Sequence, residues 1–125
     1  MTNTNLWGNL EDLEIVKTPK DILKEQAGFL TKATKGVLVG NVEEIDSRGI
    51  FQYDLNVEVP SLNNYVYTVL SIRHEIDLYP VHLINPSVKP PLICKNEEDF
   101  IERLGESLSS KRVKTALSRL VSQAK

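Results

Sequence analysis

The nine residues from Phe51 to Val59 constrain this fold more than any other part of the chain. Phe51, Tyr53, Leu55, Val57 and Val59 alternate with Gln52, Asp54, Asn56 and Glu58. Successive side chains on a strand point to opposite faces, so this repeat buries one face and wets the other. Strands of a parallel sheet are covered on both sides and read as continuous apolar runs. Clean alternation belongs to an antiparallel sheet covered on one side. The chain must therefore supply neighbouring strands and an apolar cover for the dry face.

The neighbours follow from the flanking turns. Residues 37 to 45 read as a partner strand, joined through the turn formers Asp46, Ser47, Arg48 and Gly49. Pro60-Ser61-Leu62-Asn63-Asn64 makes the next turn, and Tyr65 to His74 a third strand. On simple alternation, Val66, Thr68, Leu70 and Ile72 share one face of it, with Tyr65, Tyr67 and Val69 on the other. Tyr79 to Ile84 is a fourth strand. Links this short allow only antiparallel pairing, which makes a meander. Residues 85 to 95 carry Pro86, Pro90 and Pro91 and read as a loop, with room for a short edge strand at Leu92 to Cys94.

Helices supply the cover. Thr18-Pro19-Lys20-Asp21 is a helix start: a capping hydroxyl, a proline at the first position and an acid near the positive dipole end. Ile22, Leu23, Phe29, Leu30 and Ala33 give the apolar face, and Gly36 the stop, so a helix is expected over residues 19 to 35. Asn96 followed by Glu97-Glu98-Asp99 starts another, with Phe100, Ile101, Leu104 and Leu108 turned inward. Ser109-Ser110 breaks it, and Val113, Ala116, Leu117, Leu120 and Val121 form a last apolar stripe. In the segment 1–17, Leu6, Leu10 and Leu13 lie at helical spacing, which predicts one or two short helical turns around Trp7, packed on the core or against a second copy.

The expected fold class is α+β: an N-terminal helix, a four-stranded antiparallel meander sheet, and one or two C-terminal helices packed on one sheet face. With 125 residues and 41% hydrophobic content, a single domain over residues 1–125 is expected. No apolar run approaches the roughly 18 residues of a membrane span, so no membrane association is expected. Met1 to Leu13 carries Glu11 and Asp12, no base and no apolar stretch, unlike a secretory signal. One cysteine, Cys94, cannot form a disulfide within the chain. Set in Leu92-Ile93-Cys94, it reads as a core residue of a cytoplasmic protein.

Familiar chemistry is hard to place. The six glycines never take the spacing of a phosphate loop, and one Cys with two His cannot complete a structural zinc site. No serine sits in a glycine-flanked nucleophile elbow. The one cluster with catalytic potential is His74, Glu75, Asp77 and His82, which could hold a divalent metal or make an acid–base pair. On strand alternation, His74 shares the face of Leu70 and Ile72 while His82 points away from Val81 and Leu83, so the rings need not converge. No metal and no cofactor is expected.

Two surfaces invite a macromolecular partner. Residues 1 to 106 hold all 17 acids and 10 bases, whereas residues 107 to 125 hold Lys111, Arg112, Lys114, Arg119 and Lys125 with no acid. Lys111, Arg112, Lys114 and Arg119 are candidates for nucleic-acid contacts, although a chain of pI near 5.7 lacks the strongly basic footprint of a dedicated module. The wet face of the second strand, with Asp54, Asn56 and Glu58, together with Tyr65 and Tyr67 as aromatic anchors, is a candidate protein-docking surface.

Thr18-Pro19-x-x-Ile22-Leu23-Lys24-Glu25-Gln26-Ala27, Asn63-Asn64-Tyr65-x-Tyr67 and Ile76-Asp77-Leu78-Tyr79-Pro80-Val81 lie within residues 18 to 84, about half of the chain. In these blocks the sequence resembles small uncharacterised bacterial single-domain proteins. The resemblance implies a bacterial origin and no specific activity or functional residue. The leading expectation is a non-enzymatic protein-binding module, in its most concrete form an immunity- or antitoxin-like inhibitor. A small hydrolase or metal-assisted enzyme using the 74–82 cluster, and a nucleic-acid binder using the basic C-terminal helix, stand as alternatives. A homodimer is compatible with each.

Overall fold

The computed structural model describes residues 4–46 and 48–125. Residues 1–3 of the N-terminal segment, and Ser47 of the expected 46–49 turn, lie outside the described residues. The fold is α+β, with an antiparallel sheet. Three α-helices, α1 (Pro19–Ala33), α2 (Glu97–Leu108) and α3 (Lys111–Gln123), accompany five strands among the described residues. The strands are β1 (Val39–Ile45), β2 (Phe51–Val59), β3 (Tyr65–His74), β4 (Val81–Asn85) and β5 (Val88–Cys94). They pair in chain order, each antiparallel to the next.

The strand count corrects the expectation of four. Residues 88–94 form a full edge strand despite Pro90 and Pro91. A proline cannot donate to a ladder, but an edge strand has one side with no ladder to serve. The first α-helix is also not the start of the described chain. Residues 4–17 precede it, and the only helical turn there is a 3₁₀ turn at Leu10–Asp12. One expected short helical turn is thus present, just past Trp7, but it buries no residue, and Leu6, Trp7, Leu13 and Ile15 are exposed. Local turns hold this segment: Asn5 Oδ1 accepts from the Trp7 amide, and Asn9 Oδ1 from the Glu11 amide.

α1 starts as its sequence demands. Thr18 Oγ1 accepts from the Asp21 amide and Asp21 returns the bond to the Thr18 amide, a capping box closed by Pro19. The helix stops at Ala33, two residues short of expectation, because Lys35 and Gly36 both take positive φ. The Gly36 amide then reaches back to the Thr31 carbonyl. Asn96 caps α2 through the Asp99 amide, and Ser110 caps α3 through the Val113 amide.

Tyr53, Leu55, Val57 and Val59 of β2, Leu70 and Ile72 of β3, and Val81 and Leu83 of β4 form the dry face. α1 covers it with Ile22, Leu23 and Ala27, α2 with Phe100 and Leu104, and α3 with Val113 and Leu120. Phe29 and Ile101, both expected inward, are exposed instead. α1 lies so close to β1 that a methyl group added at Gly40 would come within 2.7 Å of Ala27 Cα and closer still to its carbonyl oxygen. Thr31 Oγ1 locks that approach, accepting from the Gly40 amide at 2.8 Å and donating to the Ala27 carbonyl at 3.1 Å.

β3 departs from simple alternation in one place. Leu55 and Asn56 of β2 pair with Leu70 and Thr68, so Val69 is an extra residue without a register partner, a β-bulge. One added residue flips every side chain beyond it to the other face. Leu70 and Ile72 therefore face the core, while Val66 and Thr68 face outward, splitting a set expected to lie together. The bulge is held from the far side of the core. Arg112 of α3 donates from Nη1 to the Tyr67 hydroxyl at 2.9 Å and from Nη2 to the Val69 carbonyl at 3.1 Å.

Candidate functional site

Because all three helices sit on the dry face, the opposite face of β1–β3 is uncovered. Register places its rows directly. Glu43, Asp54 and Ser71 form one row, and Asn41, Asn56 and Thr68 the next. Glu58 lies beyond them, and Gln52, Arg73 and His82 lie toward the other end.

The rows are tied by side-chain hydrogen bonds. Thr68 Oγ1 donates to Asn56 Oδ1 at 2.8 Å, and Asn56 Nδ2 donates to Glu43 Oε2 at 3.2 Å. Ser71 Oγ donates to Asp54 Oδ1 at 2.6 Å, and Asn41 Nδ2 reaches Glu58 Oε2 at 3.5 Å. Asn56, expected wet, is only 4% exposed; its neighbours cover it and satisfy both ends of its amide. It is the fixed centre of the surface rather than its outermost contact.

Glu43 and Asp54 stand directly opposite each other on adjacent strands. Like charges in that position repel. Neither of them, nor Glu58, forms an ion pair among the described residues, where the pairs found are Lys17–Glu25 and Arg103–Asp99. The result is an ordered, acidic surface whose carboxylates form no ion pair among the described residues.

The expected docking residues are divided between two faces. Asp54, Asn56 and Glu58 lie on this open face. Tyr65 and Tyr67 pair with Val59 and Val57 and so lie on the helix-covered side, where Tyr65 is exposed at the strand end and Tyr67 is half-buried under Arg112. Glu43, Asn41, Thr68 and Ser71 join the face without having been singled out by the sequence. Only the register of the two hairpins brings them there.

His74, Glu75, Asp77 and His82 do not converge. His74 pairs with Phe51 on the core side, whereas His82 pairs with Arg73 on the open side. The His74 ring stacks on Phe51 with centroids 5.4 Å apart and lies 6.0 Å from Tyr53. Its Nδ1–H donates to the Glu75 carbonyl at 2.7 Å, the same oxygen that accepts the Leu78 amide to close the β3–β4 turn. Glu75 thus acts through its backbone, its side chain and that of Asp77 being exposed. A shallow cavity of about 230 Å³ touches His74, Arg73 and His82, but His74 Nε2 is buried without a partner. Among the described residues no three His, Cys, Asp or Glu side chains are grouped to hold a metal ion.

Cys94 is fully buried, and that burial pushes its thiol up to about 11, far from a reactive thiolate. The nearby Tyr79 hydroxyl is pushed up to about 12 for the same reason. Of the basic C-terminal set, Lys111, Lys114 and Arg119 lie exposed on the outward side of α3, while Arg112 is turned inward to the bulge.

What these features define is an α+β sheet layer with helices on one face and an acidic, hydrogen-bonded surface on the other. No helix among the described residues is long and apolar enough to cross a membrane. Comparisons with protein-family models, with curated proteins and with solved structures find no match for this chain.

Proposed function

We propose that this protein is a non-enzymatic binding module that docks a basic protein partner on the open face of β1–β3, in the manner of an immunity- or antitoxin-like inhibitor. The observation that carries this reading is the facing pair Glu43 and Asp54, held in place by Asn56 and Ser71 and without an ion-pair partner. Carboxylates opposed in this way destabilise the free sheet slightly and become favourable when a partner brings Lys or Arg to them. The ordered amides and hydroxyls around them lower the conformational cost of docking.

The test compares capture of binding proteins by the parent chain, by the double variant Asp54→Lys with Glu58→Lys, and by Lys114→Glu on α3. A basic partner should be retained by the parent chain and by Lys114→Glu. It should bind the double variant about tenfold or more weakly, a difference of about 1.4 kcal/mol. In the same series Asp54→Asn should raise the stability of the free protein by roughly 0.2–1 kcal/mol in urea melts, by removing the facing charge. A partner bound equally well by the double variant would place the interface elsewhere.

A further inference from the structure

A second charged surface lies on the helical side, away from the acidic face. Residues 107–125 hold five bases and no acid. Arg112 is spent on the bulge of β3. Lys111, Lys114 and Arg119 instead stand exposed on the outward side of α3, and their side chains form no hydrogen bond or ion pair among the described residues. With Ser109, Thr115 and Ser118 they line an open basin of about 550 Å³ that has no acid in its lining.

Helix stability does not account for these bases. Cations favour the last turn of a helix and are disfavoured in the first. α1 and α2 start with acids, whereas α3 starts with Lys111 and Arg112 and has no base in its last turn. Nor do the bases serve the core, which α3 meets with Val113 and Leu120. Lys111, Lys114 and Ser118 fall at i, i+3 and i+7 and so share one face. With Arg119 they spread about 12 Å along the helix. The acidic face does not cancel this charge. The sheet and a helix about 10 Å thick stand between the two, more than the roughly 8 Å over which charges are felt in physiological salt. A pI near 5.7 therefore averages two separate surfaces.

We propose that the outward face of α3 binds the phosphate backbone of a nucleic acid without reading its bases. Lysine, arginine and hydroxyl side chains are the donors that phosphate oxygens take, and here they run in a line along a rod. Such a line matches the line of charge along a nucleic-acid strand. A lipid surface is the poorer match. Binding there needs apolar side chains beside the bases to enter the acyl boundary, and those of α3 are turned to the core while none lines the basin. This surface is apart from the open face of β1–β3 and does not depend on what docks there.

The probe is a short fluorescein-labelled DNA duplex, followed by anisotropy as the full chain is added. Contacts to about three phosphates give a slope of about −2.7 in log affinity against log salt, so binding should weaken about 40-fold between about 50 and 200 mM salt. A duplex of scrambled sequence should bind equally well. Lys114→Glu should keep its circular dichroism, weaken binding about tenfold or more at the lower salt, and reduce the slope by about one. Lys24→Glu, at an exposed base on α1, changes net charge by the same amount and should bind as the parent does. No binding at the lower salt overturns the proposal, and so does an equal loss in both variants, which would reduce the effect to net charge. Tighter binding to phosphatidylserine vesicles than to the duplex assigns the surface to a membrane and overturns it. Displacement of the duplex by inorganic phosphate at the same phosphate concentration assigns it to a small anion, with the same consequence.

Discussion

Replacing Arg112 by Met keeps most of the stem that packs beside β3 and removes only the guanidinium. Hydrogen bonds from a charged group contribute about 1.5–3 kcal/mol each, and two are lost, to the Tyr67 hydroxyl and the Val69 carbonyl. Two effects run the other way. Nε of Arg112 is buried without a partner, so its removal relieves a cost, and the half-buried Tyr67 hydroxyl can turn to water. The Val69 carbonyl sits at a bulge and has no such recourse. The net loss should be about 2–3 kcal/mol, a large share of the roughly 5–15 kcal/mol that holds a domain folded. Urea unfolding measures it as a lower midpoint at unchanged slope. Lys111→Met, one residue earlier and exposed, should stay within about 0.5 kcal/mol of the parent. In a double-mutant cycle, Tyr67→Phe should be coupled to Arg112→Met by about 1 kcal/mol. If Arg112→Met cost no more than Lys111→Met, the tether between α3 and the bulge would have no energetic content and the reasoning would fail.

Two further outcomes rest on the core. Gly40→Ala drives a methyl group into the Ala27 backbone, which cannot move aside as a side chain would. It should cost about 1–3 kcal/mol or more, while Gly28→Ala, with open space around it, should cost nothing measurable. Burial raises the Cys94 thiol from its ordinary 9.0 to about 11. Below pH 9 it is protonated in both the folded and the unfolded chain and does not affect stability. Above pH 9 the unfolded chain ionises first, so stability should fall by about 2 kcal/mol by pH 11. Cys94→Ala should lack that part of the fall in urea midpoints taken across this range; parallel curves for the two proteins would refute it.

The strand Phe51–Val59 was legible to the residue because its alternation is unbroken and its ends are turn formers. β3 was legible in extent but not in facing. Nothing local distinguishes Val69 from its apolar neighbours, and the bulge becomes visible only when β2 supplies the register. β5 was obscured by Pro90 and Pro91, since the same residues that interrupt an inner strand are tolerated at an edge. For the open face, alternation marked Asp54 and Glu58 as outward but could not name their neighbours. Glu43, Asn41, Thr68 and Ser71 arrive from other strands, and contacts at a sequence distance of 12 to 17 residues leave no periodic trace. Arg112 reads as one more surface base until the acceptor that turns it inward, a backbone carbonyl on another element, is in place.

The two ends of the sheet bear on how any partner can attach. At β5 the edge includes Pro90 and Pro91, which have no amide to offer. At β1 the Gly40 amide is already taken by Thr31, and farther along the strand the edge carries Glu43 and Glu44. An incoming peptide that tried to extend the sheet as a sixth strand would meet missing donors on one side and a helix and carboxylates on the other. Recognition by strand addition is thereby discouraged at both edges. What reads this protein must read its side chains, and a partner's selectivity then lies in the pattern of charge and shape it presents, not in the backbone ladder that any extended peptide could offer.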